Sequence, residues 1–149
     1  MKFLIPILAM CLYISINGQT IRQIKPSDTD SQINLFDADS HYVYISPNVP
    51  QLNLLVIHLP GTGGKPKNAE LFGQKAALMG YHSIGLMYPN SPAVGNYCTN
   101  ISDSSCYENI RREVIEGVDY SSQINLPQEE SIFNRAKKLI LYLDNLYPN

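Results

Sequence analysis

Residues 52–65 decide the fold of this chain: an apolar run, LNLLVIHL (Leu52–Leu59), is followed by a glycine-rich turn, PGTGGK (Pro60–Lys65). The apolar run lies between two prolines and has no polar face, which is typical of a parallel strand buried on both sides rather than an edge strand. The turn then leads into a helical pattern. We therefore expect a central, buried strand whose carboxyl end carries a turn of unusual backbone conformation.

The residues after the turn predict a helix and a second strand. Apolar side chains recur at helical spacing from Asn68 to Met79, and Gly80 stands where a helix C-cap belongs. Tyr81–Tyr88 (YHSIGLMY) is apolar and stops at a proline, as strands often do. Strand, glycine-rich loop, helix and strand within about 35 residues predict a right-handed βαβ unit with a parallel sheet. The predicted fold class is therefore α/β.

Three further elements are predicted on either side of this unit. His41–Ile45 (HYVYI) has the Tyr and Val content of a strand. A helix is expected from Tyr107 to about Asp119, where Ser105–Glu108 has the form of a capping box. A last helix with a clean apolar stripe begins near Pro127. Residues 19–40 are a polar lead-in with at most a short strand near residues 33–36. Residues 41–149 then belong to a single domain, of which we expect them to form the N-terminal part.

The N-terminus has the layout of a secretory signal peptide. Lys2 supplies a positive charge, Phe3–Ile16 is almost unbroken apolar sequence, and small or polar residues follow. The apolar run falls about six residues short of the 20 that a membrane helix needs. We expect residues 1–18 to be removed by cleavage near Gly18, with a buried core helix as the alternative. The mature protein should then be exported, without a membrane span.

Export changes the interpretation of the cysteines. Cys11 leaves with the signal peptide, and the mature chain keeps Cys98 and Cys106 with seven residues between them. In an oxidising compartment, such a pair predicts one local disulfide. A metal site would need more ligands nearby, and the nearest histidine is His82, so no metal is expected.

One N-glycosylation sequon, Asn100-Ile101-Ser102, lies between the two cysteines. So short a motif also arises by chance, which is the alternative. Its polar, cysteine-bounded surroundings in an exported chain favour glycosylation at Asn100.

Length and charge exclude several classes of protein. The chain has 149 residues, which allows one domain. Its formal net charge of -2 leaves no basic footprint for nucleic acid or for an anionic membrane surface. We therefore expect no nucleic-acid partner.

The glycine-rich turn fails the two tests for phosphate binding. A P-loop needs a glycine at position 59 and Ser or Thr after Gly64-Lys65, but Leu59 and Pro66 stand there. A dinucleotide fingerprint needs a third glycine at position 66, which is again Pro66. No nucleotide cofactor is expected. A third chemistry remains, because a glycine turn after a strand can present backbone N–H groups to an oxyanion.

On these residues the chain resembles the α/β-hydrolase superfamily, and in detail secreted esterase-type members with a Pro-Gly-Thr-Gly-Gly loop. The family carries its oxyanion loop after the third strand, and the resemblance covers roughly residues 41–149. It implies that the N–H of Thr62 or Gly63 faces the oxyanion, that Gly61 and Gly64 shape the turn, and that His58 is structural. The alternative is a tight turn without chemistry.

The family's nucleophile motif, Gly-x-Ser-x-Gly, does not occur in the sequence: Ser83 is followed by Gly85 but preceded by Tyr81. We assign no catalytic residue. The first hypothesis is therefore the N-terminal half of a secreted serine esterase, truncated by gene structure or an incomplete gene model and inactive by itself. It would expose an unpaired sheet edge and self-associate. The second is a small secreted binding or interaction protein on a βαβ scaffold, and the third a complete hydrolase with an unrecognised site.

Overall fold

The computed structural model describes residues 18–147, so the predicted signal peptide lies outside the described residues except for Gly18. Four strands are present, namely β1 (Thr20–Ile24), β2 (His41–Ile45), β3 (Leu55–His58) and β4 (His82–Gly85). The helices are α1 (Pro26–Thr29), α2 (Glu70–Leu78), α3 (Val94–Tyr97), α4 (Cys106–Glu116) and α5 (Ile132–Leu146). Short 3₁₀ turns at Pro66–Ala69 and Gln128–Glu130 precede α2 and α5.

The strands form one mixed sheet in the order β1-β2-β4-β3. β2 runs antiparallel to both of its neighbours, and β3 runs parallel to β4 with Leu55 beside His82 and His58 beside Gly85. The predicted parallel pairing within the βαβ unit is therefore confirmed. The α/β class is confirmed at the level of a mixed four-stranded sheet with helices.

Within the described residues β3 is neither central nor buried on both sides; it has the unpaired edge that the hypothesis of an N-terminal half predicts. β3 lies at one edge of the sheet, and Leu55 and Ile57 are 44% and 38% exposed. The apolar run predicts a strand, and β3 occupies residues 55–58 of it. Among residues 18–147, however, only β4 pairs with it.

Each face of the sheet carries one principal helix. On one face, Tyr42 and Tyr44 of β2 pack with Ala77 of α2. A Cβ at Gly73 would lie 2.1 Å from the ring of Tyr44, so only glycine lets α2 approach this closely. On the other face, α5 packs against a buried apolar cluster: Ile24, Val43, Ile84, Leu86 and Leu139.

The polar lead-in belongs to this sheet. Its strand is β1 at Thr20–Ile24, whereas the residues near Ile33, where a strand was suggested, form turns. Ile33 is nevertheless fully buried. A polar edge strand such as TIRQI lacks the apolar run that marks a strand in sequence, which explains why it was missed.

A buried polar network fixes the end of β4. The guanidinium of Arg135 is fully buried, pairs with the carboxylate of Glu130 and donates to the carbonyl oxygens of Met87 and Leu35. The Nδ1 atom of His41 accepts from the N–H of Met87 at 2.9 Å. Both backbone polar groups of Met87 are therefore held, which fixes the chain just before the loop that follows.

Candidate functional site

The glycine-rich turn follows the third strand and leads through a 3₁₀ turn into α2. Gly63 has a φ of +66°, in the left-handed region where side chains are strained. The N–H of Gly64 donates to the carbonyl of Gly61 at 2.9 Å and closes the turn. This geometry explains why the sequence needs glycine at position 63.

Asn90 clamps the turn from the opposite side. Its Nδ2 atom donates to the carbonyl oxygens of Gly61 and Gly64, both at 2.9 Å. Its backbone carbonyl accepts from the N–H of Gly63 at 3.1 Å. The hydroxyl of Tyr88 donates to the carbonyl of Pro60 at 2.8 Å, and burial raises the pKa of Tyr88, which keeps this donor protonated. The turn is therefore rigidly held by residues that follow β4.

These contacts separate the two predicted oxyanion donors. The N–H of Gly63 is already occupied by Asn90. The N–H groups of Thr62 and Gly61 donate to no group within residues 18–147. Of the two donors that the resemblance implied, only Thr62 is available, and Gly61 is a second free donor beside it.

A cavity of about 610 Å³ is lined in part by Gly61 and Thr62, the two residues of the turn whose N–H groups donate to no described residue. Gly61 and Thr62 line it together with residues 88–92, while α4 and residues 123–126 form the far wall. Arg111 is an exposed cation on that wall. The apolar lining includes Leu35, Phe36, Leu59, Val94, Ile110, Val114, Ile115, Ile124, Leu126 and Ile132. Such a lining suits an apolar chain with a polar head, because polar residues such as Thr62, Asn90 and Arg111 also line the cavity.

Glu113 holds the far wall of the cavity. Its side chain is buried, and one carboxylate oxygen accepts from the N–H groups of Tyr120 and Ser121. The other oxygen accepts from the N–H of Leu126 at 3.0 Å. The carboxylate thereby organises a loop that would otherwise leave three backbone donors without partners.

No histidine lines this cavity, although Ser91 does. His41 is buried and its pKa is lowered to about 3, first because burial penalises its charged form and second because Arg135 lies nearby. His58 packs its ring against Phe72, with 5.9 Å between ring centroids. The loop that His58 was expected to orient is held directly by hydrogen bonds from Asn90 and Tyr88.

The predicted disulfide is confirmed: Cys98 and Cys106 are bonded, with their Cα atoms 5.9 Å apart. It ties the end of α3 to the start of α4, and both helices contribute to the cavity wall. Asn100 of the sequon is exposed in this closed loop with a φ of +64°.

Two general findings concern only the part of the chain that the structure describes. No group of three or more His, Cys, Asp or Glu side chains is placed to hold a metal ion. No helix there has the length and apolar character that crossing a membrane requires.

Sequence reasoning missed the residues that shape the site. Asn90 follows Pro89 at the end of a predicted strand, so a turn was foreseeable, but its grip on residues 61–64 was not. Glu113 stood in a predicted helix among other charges, with nothing to mark it as buried.

Comparison of the chain with family models, with curated proteins and with solved structures finds no match.

Proposed function

We propose that this chain carries the oxyanion loop and the acyl pocket of a secreted ester hydrolase of the α/β-hydrolase type. The observation that carries the proposal is that Thr62, whose N–H donates to no described residue, lines a largely apolar cavity. The position of the loop supports it, because the family's oxyanion loop also follows the third strand.

The geometry suits stabilisation of a developing negative charge. An ester carbonyl in the cavity would direct its oxygen at Thr62, while its acyl chain contacts the apolar lining. Because Asn90 already holds the turn, the donor needs little reorganisation when the charge forms. Such preorganised N–H groups are the main source of transition-state stabilisation in acyl transfer.

Turnover also needs a nucleophile and a base within hydrogen-bond reach of each other. The sequence contains no Gly-x-Ser-x-Gly, and no histidine lines the cavity. We therefore propose that the 149-residue chain does not hydrolyse esters by itself. In the complete hydrolase, the nucleophile-bearing strand would pair with the free edge of β3.

The absence of histidine from the cavity lining also favours a second candidate, a secreted binding protein without chemistry. In that case the apolar lining alone would hold the ligand, and the turn would only connect β3 to α2. The two candidates differ in one respect: only the first requires the N–H of Thr62 to contact the ligand.

An NMR titration with hexylphosphonate, an anionic mimic of the tetrahedral intermediate, separates these candidates. In the nitrogen-15-labelled chain, we expect the amide proton of Thr62 to shift downfield while that of Gly63 changes little. The variant Thr62→Pro lacks the N–H and should bind at least about tenfold more weakly, whereas the control Thr62→Ala should bind normally. Equal binding by Thr62→Pro would favour the binding protein, and no binding would contradict both candidates.

Labelling with a fluorophosphonate probe tests the absence of a nucleophile. We expect no labelling of the 149-residue chain, because the probe needs an activated serine. Stoichiometric labelling would reveal an active serine and contradict the proposal of an incomplete site.

We also propose export and N-glycosylation. The chain expressed in a eukaryotic secretory host should appear in the medium without residues 1–18 and with a glycan at Asn100. Mass spectrometry before and after glycosidase treatment, with Asn100→Gln as the matched variant, checks both points. An intact Met1, or an unmodified Asn100, would contradict the corresponding part.

A further inference from the structure

The outer edge of β3 presents unpaired backbone groups. The carbonyl oxygens of Leu54 and His58 accept from residues 82 and 86, both at 2.9 Å. Because successive residues of a strand direct their backbone groups to opposite sides, those of Leu55 and Ile57 point away from β4. No other strand of residues 18–147 pairs with this edge. Its hydrogen-bonding pattern therefore specifies one kind of occupant, another β-strand.

The edge also lacks the features that usually block strand pairing. Residues 52–64 contain no Asp, Glu, Lys or Arg. Leu55, Ile57 and Leu59 are 44%, 38% and 41% exposed. Natural edges are commonly protected by lysine, proline or a bulge, and none of these interrupts β3. A neutral, apolar strand is complementary to a second strand that is also neutral and apolar.

We propose that a second copy of this chain occupies the edge, paired antiparallel about a two-fold axis at Val56. Antiparallel pairing about a two-fold axis closes symmetrically and uses the β3 edge of both copies, so that only the β1 edges remain. Leu55 of one copy would then exchange both hydrogen bonds with Ile57 of the other, which uses the outward-pointing groups. No like charges meet, because the edge is uncharged. The two four-stranded sheets become one.

This proposal does not rest on the proposed function. It concerns the hydrogen-bonding edge of β3, whereas ligand binding concerns the N–H of Thr62. A nucleophile-bearing strand of a complete hydrolase would compete for the same edge.

Sedimentation of the product that a secretory host exports from this chain tests the dimer. We expect a dimer at micromolar concentration, and Ile57→Lys should raise its dissociation constant at least about a hundredfold. The control Leu71→Lys alters an α2 side chain that is 77% exposed and should leave the dimer unchanged. A monomeric wild-type chain would overturn the proposal and leave the edge to a strand of another origin. Unchanged association of a folded Ile57→Lys variant would overturn it equally.

A cross-link tests the register even if Ile57→Lys fails to fold. In the proposed pairing, the two Val56 residues form a pair without hydrogen bonds, with Cα atoms about 4.5 Å apart. This separation lies within the range that a disulfide spans. Val56→Cys should therefore form a disulfide-linked dimer on mild oxidation, whereas Leu71→Cys should not. Failure of Val56→Cys to cross-link in a folded protein would overturn the antiparallel register.

Discussion

The two edges of the sheet differ sharply in chemistry. β1, at one edge, carries Arg22 and Gln23, and the Nε atom of Arg22 donates to the hydroxyl of Tyr147 at 3.2 Å. β3, at the other edge, has three apolar residues and His58, and it contains no Asp, Glu, Lys or Arg. Polar and charged side chains on an edge strand discourage pairing with another chain, so the β1 edge is protected and the β3 edge is not.

The difference extends into the interior. The segment that follows β1 is tied to α5 and the turn before it: Glu130 accepts from the N–H groups of Asn34 and Leu35, and Arg135 donates to the carbonyl of Leu35. The ion pair of Lys138 with Asp30, at 2.6 Å, adds a further link. β3 instead has one strand neighbour and exposes its apolar side chains. We infer that most of the monomer's stability lies between β1 and β4, while the apolar surface of β3 contributes to association.

The largest effect is expected from the buried ion pair. Arg135→Ala leaves the carboxylate of Glu130 buried without its cation and should lower the free energy of unfolding by about 3–5 kcal/mol. The control is Arg112→Ala, which removes a partly exposed ion pair with Glu116 and should cost less than about 1 kcal/mol. Urea unfolding measures both. Equal losses would show that the buried network does not anchor the β1 side.

Two matched truncations of leucine to alanine compare how much the β1 side and the β3 side of the sheet contribute to the free energy of unfolding. Leu139→Ala removes a fully buried side chain and should cost about 2–5 kcal/mol. Leu55→Ala removes one that is 44% exposed and should cost less than about 1 kcal/mol. Both are measured by urea unfolding on the Ile57→Lys background, so that association does not contribute. A large loss for Leu55→Ala would mean that β3 is covered within the monomer.

An intermediate effect is expected from the disulfide, which touches neither edge. Cys98 and Cys106 are eight residues apart in sequence, and opening so short a loop should lower the free energy of unfolding by about 2.5 kcal/mol. The double variant with serine at both positions tests this by thermal unfolding. The same loss should appear with and without Ile57→Lys, because the loop is remote from β3. A loss that depends on the edge variant would show coupling between the two regions.

The smallest effect, counted per pH unit, is a pH dependence of stability that comes from His41, whose Nδ1 atom accepts from the N–H of Met87. Its pKa is about 3 in the folded chain against an ordinary value of 6.5, so as the pH falls below 6.5 the unfolded chain binds the proton first. The free energy of unfolding should therefore be constant above pH 6.5. Between pH 6.5 and pH about 3, it should fall by up to about 1.4 kcal/mol for each unit by which the pH is lowered.

His41→Asn keeps an acceptor for the N–H of Met87 and removes the titration, so it should abolish this slope. The control His82→Asn alters an exposed histidine and should keep it. Chemical unfolding at a series of pH values measures the slopes. An unchanged slope in His41→Asn would assign the acid sensitivity to other groups.

Local patterns predicted much of the fold. The strand at His41–Ile45 has the predicted bounds, and the helices α2, α4 and α5 fall within one or a few residues of their predicted positions. The Cys98–Cys106 bond followed from export and spacing. The capping box at Ser105–Glu108 is absent, because the Ser105 hydroxyl donates to the carboxylate of Asp103 instead. These predictions depend on neighbours along the chain.

By itself, the sequence determined the α/β class, the parallel βαβ unit and the glycine turn after β3. The hypothesis of an N-terminal half also predicted the unpaired edge of β3. Only the tertiary structure decided that Asn90 reaches back 26 and 29 residues to hold the turn. Only the tertiary structure likewise decided that the carboxylate of Glu130 accepts from the N–H of Asn34, 96 residues away. Periodicity and turn chemistry are local properties, whereas burial and hydrogen-bond partners depend on which distant segments the fold brings together.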